Sequence, residues 1–196
     1  MRLFVAIDID EQTRAQLAQA RESIARVVSS GPQPPRITWV RDEAAHVTLR
    51  FIGETPDAQV SAIRDALAPR LPLAPFEVEW HTLGTFPAGR HPRVVWVGPT
   101  RGAETLQHLA AAVNDRLLAI VGPPESRPFS PHVTLGRIKE PGRGADWRKS
   151  LETTEWRPTV TTVDHVTLYA SRLSPKGATY TAVSQSFLSA TESGRH

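Results

Sequence analysis

Two imidazoles and two hydroxyls stand at matched spacing in this chain: His46-Val47-Thr48-Leu49 recurs 86 positions later as His132-Val133-Thr134-Leu135. Side chains of an extended strand alternate between faces, so each histidine shares a face with the threonine two residues on, while valine and leucine turn to the other. Histidine takes or gives a proton near neutral pH, its unperturbed pKa being about 6.5. Two of them facing one another across a cleft can serve as base and acid, and the hydroxyls beside them can donate hydrogen bonds to phosphate oxygens. Such a set suits phosphate chemistry without a metal.

Other chemistries lack their residues. With no cysteine, disulfides, thiol catalysis and cysteine-ligated zinc are excluded. No phosphate-cradling glycine loop occurs, nor a Gly-x-Ser-x-Gly turn, nor a His-Glu-x-x-His helix. His81, His91, His108 and His196 have no second ligand-type residue at metal spacing, so no cofactor and no metal are expected. A hydrophobic share of 40% with 22% charged residues is ordinary for a soluble globular protein and speaks against disordered and membrane classes. The formal charge is +3 and the pI near 9.8, which suits a phosphate-bearing partner. Met1 to Asp8 is too short an apolar run for a signal peptide, and no run long enough to span a bilayer follows, so a cytoplasmic address is expected.

The elements that must position the two motifs are read from periodicity. Residues 2 to 9 form a strand and lead into a helix to about Ser30, with Leu17, Ile24 and Val27/Val28 on one face. A short strand at Ile37 to Val40 precedes the first histidine strand, and a second helix starts at Thr55-Pro56-Asp57. Phe76 to Trp80 alternates as a strand, Leu83 to Pro87 passes into a loop, and Val94 to Val97 is a central strand. A helix from near Gly102 breaks at Gly122-Pro123-Pro124. Pro131 puts His132 at the beginning of its strand. A short helix around Trp147 to Leu151 and two strands, Thr159 to Tyr169 and Thr179 to Phe187, complete the chain. Hairpin-like pairs interleaved with helices predict an α+β fold of two largely antiparallel sheets flanked by helices. Each histidine strand is followed by a helix and then strands, which predicts a bilobal, pseudo-twofold arrangement with a central cleft. Residues 1–190 form the single domain, and residues 191–196 read as a frayed tail.

The tetrapeptide alone is not specific, since valine, threonine and leucine favour strands, and the chain carries a third copy at His165-Val166-Thr167-Leu168. Context separates the copies. His46 and His132 stand at strand starts with a glycine within seven residues, whereas His165 falls inside a strand begun at Val160 and is assigned a structural role.

The paired His-x-Thr strands resemble the signature of the 2H phosphoesterase superfamily. The flanking segments are similar to the bacterial and archaeal RNA 2′,3′-cyclic phosphodiesterases, also labelled 2′-5′ RNA ligases. Those segments are Met1 to Ile7, Trp39-Val40, His46 to Gly53, Leu83 to Pro87, Arg93 to Gly98, Phe129 to Arg137 and Val166 to Leu173, followed by Gly177 and Tyr180. The resemblance implies metal-independent opening of RNA 2′,3′-cyclic phosphate ends to 2′-phosphomonoesters, with reversible 2′-5′ ligation as a side activity. It implies His46 as proton donor and His132 as proton acceptor, with Thr48 and Thr134 on the phosphate, Phe51 stacking on a base and Arg137 pairing with phosphate. The expected partner is an RNA end bearing the cyclic phosphate, met by a monomer with no obligate protein partner. The same residues would serve another cyclic phosphodiesterase, acting on cyclic nucleotides or ADP-ribose cyclic phosphate, or a noncatalytic RNA-binding lobe. Strict alternation puts Phe51 and Arg137 on the face away from the histidines. Either a bulge near Gly136 turns the strand, or the two act less directly.

Overall fold

Every interior position of the run Arg2–Asp8 is apolar, as suits a strand covered on both faces, and this run is β1, an inner strand. The computed structural model describes residues 1–30, 33–89, 91–142, 146–174 and 177–189. In it β1 is followed by α1 (Glu11–Val28), β2 (Arg36–Trp39), β3 (His46–Glu54), α2 (Asp57–Leu67), β4 (Phe76–Phe86) and β5 (Val94–Arg101). Then come α3 (Ala103–Val121), β6 (Val133–Glu140), α4 (Trp147–Glu152), β7 (Thr159–Val163), β8 (His165–Ser174) and β9 (Gly177–Phe187). Two sheets result, a four-stranded one ordered β3-β1-β8-β9 and a five-stranded one ordered β2-β6-β5-β4-β7, and adjacent strands in both pair antiparallel. The expected α+β class holds. β1–α1–β3–α2 and β5–α3–β6–α4 are two like units, each with its histidine strand beside its first strand.

Helices cross between the units. α1 leaves the four-stranded sheet and packs on β7 of the other, while α3 leaves the five-stranded sheet and packs on β3. Asp10 caps α1 by accepting from the Thr13 amide at 2.8 Å, and the buried Thr13 hydroxyl meets those of Thr159 and Thr161 at 3.0 and 3.1 Å. Arg50, only 6% exposed, donates to the carbonyls of Gly122 and Pro123 just past α3, both at 2.9 Å. A guanidinium there satisfies orphan carbonyls and opposes the negative end of the helix dipole.

Two strand assignments change. Residues 159–169 are not one strand: the chain turns at Asp164, and β7 and β8 belong to different sheets. Valine- and threonine-rich runs carry no mark of such a jump, because both halves have the same period. His165 therefore opens β8 rather than lying inside a strand. β4 also continues past Trp80 to Phe86, with bulges near Trp80 that let it bend without ending. The expected tail at 191–196 lies outside the described residues.

Candidate active site

His46 begins β3 and His132 immediately precedes β6, and these two strands, one from each sheet, touch across the cleft. Both rings are anchored alike. Nδ1 of His46 lies 2.7 Å from the Ala44 carbonyl and Nδ1 of His132 lies 2.8 Å from that of Ser130, each two residues upstream. A carbonyl only accepts, so Nδ1 carries the proton and Nε2 is left to exchange one. Nε2 of His46 meets the Thr48 hydroxyl at 3.1 Å. Each imidazole also packs against aromatic rings of its own sheet. His46 lies 5.0 Å from Phe4 and edge-on to Tyr180 at 5.2 Å, and His132 is edge-on to Phe86 at 5.1 Å with Trp96 behind.

Phe51 and Arg137 share the histidines' face, and a bulge in each strand is the reason. Val5 pairs with Arg50 and Ala6 with Thr48, so Leu49 is an extra residue in β3. Val95 pairs with Gly136 and Trp96 with Thr134, so Leu135 is extra in β6. The insertion falls three residues after the histidine both times and leaves two consecutive residues turned inward, Leu49 with Arg50 and Leu135 with Gly136. Phase is reset, and the fifth residue rejoins the side of the first. Phe51 is 41% exposed with the Arg2 guanidinium 4.9 Å over its ring, and exposed Arg137 acts electrostatically on both imidazoles.

Burial, the largest influence on each histidine, lowers both below the ordinary value, partly opposed by the Nδ1 hydrogen bond. Arg137 lowers both. Among the described residues His46 feels a carboxylate, Asp8, which raises it, while His132 feels none, and His46 is also lowered by His132. Sequence reasoning missed Asp8 and the ring supports Phe4, Tyr180, Phe86 and Trp96. It also missed Arg14, Arg21 and Arg41, which line a small crevice with Thr134. Phe4 and Asp8 are four residues apart in β1 and so share a side, and the strand order puts that side beside His46.

A cavity of about 1130 Å³ lies elsewhere, between β4 and α4 around Leu83, Trp147 and Trp156, and includes neither histidine of the pair. Among the described residues no cluster of three or more histidine, aspartate or glutamate side chains could hold a metal. No helix among them is long and apolar enough to cross a membrane.

Residues 9–174 match the model of the 2′-5′ RNA ligase superfamily. A Thermotoga maritima protein named RNA 2′,3′-cyclic phosphodiesterase is 32% identical over 182 residues, covering 92% of this chain and 91% of its own. The crystal structure of TT0787 of Thermus thermophilus superposes with TM-score 0.73 and 29% identity over 96% of this chain and 98% of that one. E. coli LigT complexed with 3′-AMP gives 0.70 and 26%, over 95% and 97%.

Proposed function

This chain belongs to the 2′-5′ RNA ligase superfamily, and from that membership we propose that it hydrolyses RNA ends bearing a 2′,3′-cyclic phosphate to 2′-phosphomonoesters. The observation that carries the reading is the pair of imidazoles anchored identically through Nδ1, one from each sheet, with Nε2 left for proton exchange. His132 Nε2 takes a proton from water as the water oxygen bonds to phosphorus. The bond from phosphorus to the 3′ oxygen breaks, and that oxygen receives the proton of His46 Nε2. The pair ends with its protonation exchanged and is reset through solvent. Thr48 and Thr134 donate to the nonbridging oxygens, and Arg137 offsets the charge that gathers on them. Phe51, exposed on the same side, offers a face for a base. An RNA 5′-hydroxyl in place of water, drawing on the energy of the cyclic ester, gives 2′-5′ ligation as a side activity.

The test is hydrolysis of a short RNA ending in a 2′,3′-cyclic phosphate, in the presence of a chelator, with the product scored as 2′- or 3′-phosphate. The 2′-phosphate is expected, and His46→Ala and His132→Ala should each lose about 10²- to 10⁴-fold in kcat. A 3′-phosphate product would reverse the bond assignment. Wild-type rate in either variant would remove the mechanism, and strong inhibition by the chelator would remove metal independence.

A further inference from the structure

The third His-Val-Thr-Leu copy faces the cleft too. β1 lies between β3 and β8, so Asp8, which ends β1, stands between His46 on one side and His165, Thr167 and Tyr169 on the other. Asp8 is the register partner of His46, which places their backbones about 5 Å apart. Its carboxylate accepts from the Thr167 hydroxyl at 2.7 Å and from the Tyr169 hydroxyl, and His165 Nε2 lies 3.4 Å away. His165 Nδ1 meets Asp164 at 2.6 Å. Tyr169 stacks on Phe4 at 5.4 Å, and Phe4 lies against His46. Among the described residues the His132 side has no matching acid, and the charge felt there is that of Arg137.

We propose that Asp8 is a positioning residue for the proton donor: tethered by Thr167 and Tyr169 and countered by His165, its carboxylate favours positive charge on His46 and leaves His132 to act as the neutral base. The proposal rests on the acid and base roles given above and supplies a physical reason for them. Charged and titratable groups among the described residues surround this cluster, with Arg41 and Asp42 lining the crevice beside Ala45 and Thr134. His46 faces Asp8 from β1, Tyr180 from β9, and His132 with Arg137 from the β6 side. Asp8 faces His165 and Tyr169, with Asp164 acting on His165 and Arg14 of α1 acting on Tyr169. Burial alone would push Asp8 up, yet the hydrogen bonds from His165, Tyr169 and Thr167 hold it at about 2. The Asp8 hydrogen bond, the largest influence on His165, draws it up to about 9, so carboxylate and imidazolium coexist across the neutral range. Tyr169 is raised, mainly by burial and then by Asp8, and stays a donor.

The experiment is NMR titration of the histidine ring protons in the substrate-free protein, which requires no activity, together with the pH dependence of kcat/KM. Asp8→Asn should move the His46 midpoint down by about half to one pH unit and leave His132 in place. His165→Gln removes a cation while keeping the carboxylate, so His46 should move the other way. The alkaline limb of kcat/KM should follow His46 in both variants. A His46 midpoint unmoved in Asp8→Asn, or His46 and His132 moving together, would overturn the proposal. If Asp8→Asn does not fold, His165→Gln decides by itself: a His46 that falls or stays put there sinks the idea. An inactive wild-type chain whose His46 still responds as expected would instead overturn the reading of the reaction and keep Asp8.

Discussion

At the scale of the residue, the two histidines are alike in anchoring and unlike in electrostatic company. Burial lowers both below the ordinary imidazole value and so favours the neutral ring in each. Catalysis needs one protonated and one neutral, and kcat/KM reports the free enzyme. Its bell should therefore peak below about pH 6.5, falling toward acid as the base gains a proton and toward alkali as the acid loses one. A bound phosphodiester anion favours both imidazolium forms, so kcat should peak at higher pH than kcat/KM. Initial rates across the acidic and neutral range check this, and a kcat/KM maximum above about pH 7 would contradict it. His165 shows how sequence context misleads: the strand that enclosed it by its residue types ends at Val163.

At the scale of the element, what matters is the bulge at the third residue after each histidine. Without Leu49 and Leu135 as extra residues, Phe51 and Arg137 would point into the core side. In β6 the bulge passes through Gly136, where a Cβ would lie 2.8 Å from the Trp39 ring and 2.9 Å from Ile37 Cγ2. Those two side chains belong to β2, the edge strand paired with β6, and partly cover it. Gly136→Ala is expected to cost about 1–3 kcal/mol as an overpacked site. A denaturant midpoint measures that, and because the adjoining Arg137 is displaced, KM should rise as well. An unchanged midpoint would mean that β2 yields freely. The bulge was legible only as an alternative, since a sequence shows the period but not where pairing slips by one.

At the scale of the molecule, the crossed helices tie the two sheets into one body. All five tryptophans (Trp39, Trp80, Trp96, Trp147 and Trp156) fall in or beside the five-stranded sheet, and both tyrosines, Tyr169 and Tyr180, in the four-stranded one. Tryptophan fluorescence and tyrosine near-ultraviolet absorbance thus report different sheets. We propose that the chain unfolds as a single unit, because α1 and α3 each bury their apolar face on the sheet they did not come from. Thermal melts followed by the two probes should coincide, and two separated transitions would divide the molecule into independent lobes.

What the sequence by itself determined was local: strand and helix periods, the matched His-x-Thr pairs, the strand starts set by Asp42-Glu43 and Pro131, and from these the antiparallel α+β class. Family resemblance carried the expected roles. What only the tertiary structure decided was which strands lie side by side. Strand neighbours are chosen by burial of whole faces, a sum over residues far apart in the chain, so no short window records that β1 sits between β3 and β8. That placement sets Asp8 between two histidines 119 positions apart, His46 and His165, and distinguishes the two halves of a site that the sequence shows as symmetric.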